Sequence, residues 1–177
     1  METVGLDPQL ASRSSPSGNR WLRAALRALP ISANDRIIDI GCGKGSAMRV
    51  MLAFPFSRIE GIELSPLIAD TARHNFRRLR VPDERLRVHV ADARDFDGLD
   101  EFNYIYLYNP FPSEIFKPFL QRVTASLDRR PRGLTIVYNN PICDEQIMST
   151  GGFQKVLQLP AEWNNTILVY KSLSYQS

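Results

Sequence analysis

The sequence predicts an α/β fold built on an open, mostly parallel sheet, and three observations carry that prediction. First, short apolar strands alternate along the chain with segments whose apolar residues recur at helical spacing. Second, Arg36-Ile-Ile-Asp-Ile-Gly-Cys-Gly-Lys-Gly-Ser46 runs from a buried strand, 36–40, through a turn with glycine at every second place. A helix then opens at Ser46, a residue type suited to an N-cap. Third, a second strand, 57–63, ends in an acid, Glu63, 24 positions after Asp39. Glycines at 41, 43 and 45 leave no Cβ between a ligand and the backbone. The crevice beyond the carboxyl end of such a strand is where open α/β sheets bind ligands.

Spacing narrows the ligand. A dinucleotide fingerprint wants glycine or alanine at the sixth place, where Ser46 stands. A phosphate-binding loop of the Walker type wants glycine at 38 and Ser or Thr directly after Lys44, and both fail. What remains is Asp39-x-Gly41-x-Gly43-x-Gly45, which resembles the first motif of the class I S-adenosylmethionine-dependent methyltransferases. The resemblance implies that Asp39, Gly41, Cys42, Gly43 and Gly45 wrap the methionine end of S-adenosyl-L-methionine, whose product form is S-adenosyl-L-homocysteine. Glu63 fits the second landmark, since a carboxylate at the tip of the second strand can accept both ribose hydroxyl hydrogens. Ile62 or Leu64 beside it offers an apolar contact for the adenine.

The landmarks continue in order. A helix over 66–79 has Ile68, Ala72, Phe76 and Leu79 inward and His74 exposed; a third strand, 85–90, then leads to Ala91-Asp92-Ala93. There the resemblance makes Asp92 the acceptor of the adenine amino hydrogen and Ala93 the donor to a ring nitrogen. His89 sits within the strand and reads as packed or edge-exposed. The fourth strand, 102–108, ends in Asn109-Pro110-Phe111-Pro112. Several amino-group methyltransferases carry [N/D]-P-P-[Y/F] at this place, where the Asn oxygen and the first Pro carbonyl accept the two hydrogens of the target amine. The resemblance therefore makes Asn109, Pro110 and Phe111 catalytic, with Asn109 also next to the cofactor. The aromatic ring is displaced by one position from that pattern, which counts against nucleobase stacking.

The flanks are read more simply. Residues 1–18 form a flexible N-terminal segment rich in Ser and Pro, and 19–177 form a single domain. Gly18 or Asn19 caps a helix bearing Leu22, Ala25, Leu26 and Leu29, and 14–19 is the piece that would lie near the ligand. Met48, Met51 and Leu52 are core filler on the first crossover helix. A helix over 113–127 tolerates or kinks at Pro118. A fifth strand, 133–138, again ends in Asn-Asn-Pro, so Tyr138 and Asn140 would line the substrate mouth on the same rim. Stretches 153–159 and 166–171 alternate as an antiparallel hairpin.

Composition excludes little else. The hydrophobic share is 44% and the charged share 23%, and no apolar run approaches the ~20 residues of a membrane span. Cys42 and Cys143 form no metal or redox spacing and read as free thiols, which fits a reducing cytoplasm. The net charge of +3 comes mainly from arginine, six of them between Arg73 and Arg87, read as a solvated helix face plus an edge strand.

The resemblance covers Trp21 onward and is nearest to small bacterial methyltransferases that distantly resemble the non-SET-domain protein lysine methyltransferases. It implies a Rossmann-like, doubly wound, seven-stranded and mostly parallel sheet with a C-terminal antiparallel hairpin. It also implies in-line methyl transfer. An oxygen acceptor usually needs a base or metal; only Glu101 and Glu114 stand as outside candidates, so a nitrogen of a protein side chain or small amine is the expected acceptor, with no metal and no membrane partner. A nucleic-acid base methyltransferase and a non-catalytic cofactor-binding subunit are the alternatives. The oligomeric state is not legible.

Overall fold

The computed structural model describes residues 18–173. Its helices are α1 (Arg20–Arg27), α2 (Ser46–Met51), α3 (Pro66–Arg78), α4 (Ser113–Arg129) and α5 (Asp144–Ser149). Its strands are β1 (Arg36–Ile40), β2 (Arg58–Glu63), β3 (Leu86–Val90), β4 (Tyr104–Tyr108), β5 (Thr135–Asn139), β6 (Phe153–Pro160) and β7 (Thr166–Ser172). They form one sheet in the order β3-β2-β1-β4-β5-β7-β6. The first five strands are parallel; β7 runs antiparallel to β5, and β6 antiparallel to β7. This is the expected Rossmann-like, doubly wound sheet with its C-terminal hairpin.

Burial on both faces explains why the central strands read as continuous apolar runs. On one face Leu22 and Leu26 of α1, Met48 and Met51 of α2, and Ala72 and Phe76 of α3 pack over Ile37, Ile59 and Val88. On the other, Phe116, Phe119 and Val123 of α4 pack over Ile38, Ile40, Ile105 and Ile136. Asn19 caps α1 by accepting from the backbone N–H groups of Trp21 and Leu22, both at 3.1 Å. The inward residues of α3 are Ala69, Ala72 and Phe76, whereas Leu79 falls at the C-cap and is exposed. Helix α4 runs through Pro118, its sixth residue, and on to Arg129, about three turns further at 3.6 residues per turn.

One detail departs from the sequence expectation. Ser46 is the first residue of α2 rather than its N-cap; Gly45 takes the cap position with φ +85°, and the Ser46 hydroxyl instead accepts from Gly18 N at 3.0 Å. Between β3 and β4, residues 97–101 make only a short 3-10 turn. Arg132 holds that turn by donating to the carbonyls of Leu99 and Phe102, at 2.8 and 2.6 Å.

The arginine run has structural work inside the fold. Arg73 donates twice to the Val88 carbonyl, at 3.1 and 2.8 Å, tying α3 to β3. Arg85 reaches the carbonyls of Leu52 and Phe54. Both cysteines are buried free thiols. Among the described residues, no helix is long and apolar enough to cross a membrane.

Candidate active site

The site is built on the carboxyl rim of β1, β2, β4 and β5, beginning with the glycine turn after β1. Gly41, Gly43 and Gly45 have φ of +76°, +54° and +85°, the left-handed region that favours glycine. The turn is stitched to β2, because the N–H groups of Gly41 and Cys42 both donate to the Ile62 carbonyl at 2.9 Å. Gly61 in β2 must lack a side chain, since a Cβ there would lie 2.7 Å from Cys42 Sγ.

Glu63 ends β2 where the turn can use it. Its Oε2 accepts from Gly43 N at 3.0 Å and its Oε1 from Ser65 N at 2.9 Å, so the carboxylate is fixed between the turn and the start of α3. Each carboxylate oxygen has two lone pairs, which leaves capacity for two incoming hydroxyls. Ser65 in turn caps α3 by accepting from Ile68 N at 3.4 Å.

Asp39 lies beneath the turn, 2% exposed, with no hydrogen-bond partner for Oδ2. Burial, reinforced by the negative charge of Glu63, pushes its carboxyl up to about 8. It is therefore a neutral acid at pH 7, and a cationic ligand group set against it would draw the proton off. Burial, with Asp39 and Glu63, also pushes the Cys42 thiol up, away from the thiolate form. The open glycine turn, the orphaned Asp39 oxygen and the spare capacity of Glu63 fit a ligand with a ribose and a positive charge.

The remaining cofactor candidates sit on the same rim. Leu64 is partly exposed, whereas Ile62 is buried in the far core cluster, so Leu64 offers the apolar surface. Both Asp92 oxygens accept from Arg94: Oδ1 from its backbone N at 2.8 Å and Oδ2 from Nη2 at 2.6 Å. Those bonds hold the Asp92 carboxyl below the usual range. Ala93 beside it is buried.

The Asn-Pro turn after β4 lies directly against the glycine turn. A Cβ on Gly41 would stand 2.8 Å from Pro110 Cβ. Asn109 takes φ +43°, a conformation Asn tolerates better than most residues. The ring of Phe111 points elsewhere, 5.7 Å from the ring of Phe119 and packed on the α4 side of the sheet.

Asn140, after β5, also takes positive φ, +53°, and Tyr108 pairs with Asn139, so the two Asn-Pro turns are neighbours. Tyr138 does not line the mouth: it is 0% exposed and stacks on Phe116 at 5.5 Å. Glu101 belongs to the opposite rim, paired with Arg36 at 2.7 Å and Arg130 at 2.5 Å. Glu114 is exposed at the start of α4. His89 is engaged away from the rim by Glu60, at 2.5 Å.

Sequence reading passed over the tip of the β6–β7 hairpin, which reaches the same rim because Asn140 N donates to Thr166 O at 3.0 Å. Its signal was Trp163-Asn-Asn165 between two alternating strands, a turn without glycine.

The sequence model of the methyltransferase domain family matches residues 37–130, from β1 to the end of α4. The chain belongs to the methyltransferase domain family. This methyltransferase domain is 31% identical over 68 residues to the trans-aconitate 2-methyltransferase of Paracidovorax citrulli, a match covering 38% of the chain and 26% of that protein. It is 32% identical over 60 residues to the demethylmenaquinone methyltransferase of Tropheryma whipplei, covering 34% of the chain and 25% of that protein. It thus matches about a quarter of the length of these curated relatives. In fold it is similar to an RNA methyltransferase from Salinibacter ruber, solved in complex with S-adenosyl-L-homocysteine. The TM-score is 0.67 at 17% identity, over 92% of this chain and 97% of that one.

Proposed function

We propose that this methyltransferase domain uses S-adenosyl-L-methionine to methylate a nitrogen of a protein side chain or small amine. The observation that carries the reading is the contact between Gly41 and Pro110. It sets the backbone turn suited to the cofactor's methionine end against the turn that would hold the acceptor. In this reading Asp39 and the turn 41–45 hold the methionine portion, Glu63 the ribose, and Leu64, Asp92 and Ala93 the adenine. The cofactor supplies an electrophilic methyl on a sulfonium.

The chain's own residues position the acceptor. The Asn109 side-chain oxygen and the Pro110 carbonyl can each accept one amine hydrogen, which aims the nitrogen lone pair toward the glycine turn. Holding two reactants in line is worth up to ~7–11 kcal/mol of barrier. An amine brings its own lone pair, so this chemistry asks less of a general base than an alcohol would. His89 is engaged by Glu60 and Glu101 by two arginines, so neither is available as a general base.

The names of the relatives point to different acceptors: trans-aconitate, demethylmenaquinone and RNA. The acceptor class therefore rests on Asn109-Pro110 alone. Incubation with methyl-labelled cofactor and three acceptor pools (a lysine-rich peptide, small primary amines and an RNA oligomer) tests it. Label in the peptide or amine pool is the expected result. Label confined to RNA would replace the amine reading with the nucleic-acid one.

A further inference from the structure

Both tryptophans of the chain lie in one groove on the carboxyl rim. The groove is open to solvent and spans about 1320 Å³ between the start of α1 (Asn19 to Trp21) and the hairpin residues 158–166. Its outer wall is the tip of the β6–β7 hairpin, where Asn165 N donates to the Glu162 carbonyl at 3.1 Å. The two central residues of that turn, Trp163 and Asn164, have φ of +61° and +58°. This is the I′ arrangement, which favours Asn-Gly, and a bulky aromatic residue in it is a backbone outlier. Yet Trp163 is 82% exposed, so no packing of the fold holds it there. Strain of this kind, with a large apolar ring in solvent, points to a binding role.

The neighbours define the ligand's chemistry. Glu162 presents a carboxylate whose Oε2 is oriented by Asn19 Nδ2 at 3.2 Å. The other indole already carries a cation, since the Arg20 guanidinium sits 4.6 Å above the Trp21 ring. Glu162 and Trp163 line the same groove, and a carboxylate together with an indole ring is a pairing that takes an ammonium group. The tip stands two strands along the rim from Asn109, about 10 Å at ordinary strand spacing. Gly18, whose N–H reaches Ser46 Oγ, closes the distance between this groove and the exit of the glycine turn.

We propose that Glu162 and Trp163 dock a second ammonium group of the acceptor, about 10 Å from the nitrogen held at Asn109-Pro110. The acceptor is then a basic peptide with two spaced lysines or a linear polyamine, which share that chemistry. The inference rests on the amine reading above and names its substrate class more closely.

The test uses tryptophan fluorescence, which both indoles make a direct report on the groove. The full chain is titrated with 1,8-diaminooctane and with its mono-N-acetyl derivative. In parallel it is titrated with a peptide bearing lysines three residues apart, about 10 Å when extended, and with the same peptide acetylated on one lysine. Binding of S-adenosyl-L-homocysteine is followed by calorimetry on the same samples. The expected result is a saturable change for the diamine or the peptide, at least fivefold weaker after acetylation. Glu162→Gln should erase that difference, and Trp163→Phe should retain part of the binding, with homocysteine-cofactor affinity unchanged in both.

Equal responses to the acetylated and free forms, or none to either, while the cofactor product still binds, would overturn the docking site and leave the methyltransferase reading standing. A response to an RNA oligomer with none to the amines would overturn it in favour of nucleic acid. Loss of cofactor-product binding in the wild-type chain would remove the reading beneath it.

Discussion

Gly41 and Pro110 touch: a single added methyl on Gly41 would lie 2.8 Å from Pro110 Cβ. The turn after β1 and the turn after β4 are thereby one surface, although 69 positions separate these residues in the chain. Parallel pairing of β1 with β4, Ile40 opposite Leu107, brings both turns to the same rim at the same height.

Gly41→Ala should therefore be costly twice over, through the +76° φ and through the collision with a proline ring. We expect about 2 kcal/mol of lost stability from strain of this type, read as a lower urea midpoint. A variant as stable as the wild type would show that the two turns can part.

Asn109→Gly keeps the positive φ available while removing the amide. Turnover should fall by at least a hundredfold with affinity for S-adenosyl-L-homocysteine within about threefold, an effect of less than ~1 kcal/mol on binding. Asn109→Ala should show the same loss of turnover plus a drop in thermal stability. Retained turnover in the glycine variant would reduce Asn109 to a turn residue.

Phe111→Leu separates packing from chemistry. The ring lies against Phe119, so the change should lower stability by about 1 kcal/mol, the scale of an aromatic pair, with kcat/KM nearly unchanged. A large fall in kcat/KM at unchanged stability would instead put the ring on the acceptor.

Much of this was legible beforehand because it is written in local chemistry. The boundaries of β1, the glycine turn after it and the acid ending β2 follow from residues adjacent in sequence. A cap for α1 at Gly18 or Asn19 was legible for the same reason, and the structure selects Asn19. What escaped depends on partners distant in the chain. Tyr138 reads as a rim residue from its place beside Asn139-Asn140, and only the stack on Phe116 shows it to be core. Glu101 reads as a free acid until Arg36 and Arg130 close on it. Helix α5 has six residues and one buried side chain, Ile147, too short for a period to register. The Trp163-Asn164 turn lacks the glycine that usually announces its type.

Asp39 gives the fold a pH signature. Its carboxyl is raised from 3.8 to about 8, so between those values the native chain holds a proton that the unfolded chain has lost. The unfolded state binds fewer protons, and stability falls as pH rises through that window, by at most about 1.4 kcal/mol per unit from this group. Asp39→Asn removes the proton exchange. Urea unfolding from pH 5 to pH 8 should show the variant gaining on the wild type as pH rises. Parallel curves would mean that Asp39 is ionised beneath the turn.

The central claim is that the glycine turn and Glu63 form the S-adenosylmethionine site. Calorimetric titration with S-adenosyl-L-homocysteine, in the wild type and in Glu63→Ala, tests it most directly. The account predicts micromolar binding by the wild type and at least tenfold weaker binding by the variant, about 1.4 kcal/mol, with no heat from NAD in either. Equal affinity in the two proteins would contradict the ribose assignment, and silence from the wild type would contradict the site itself.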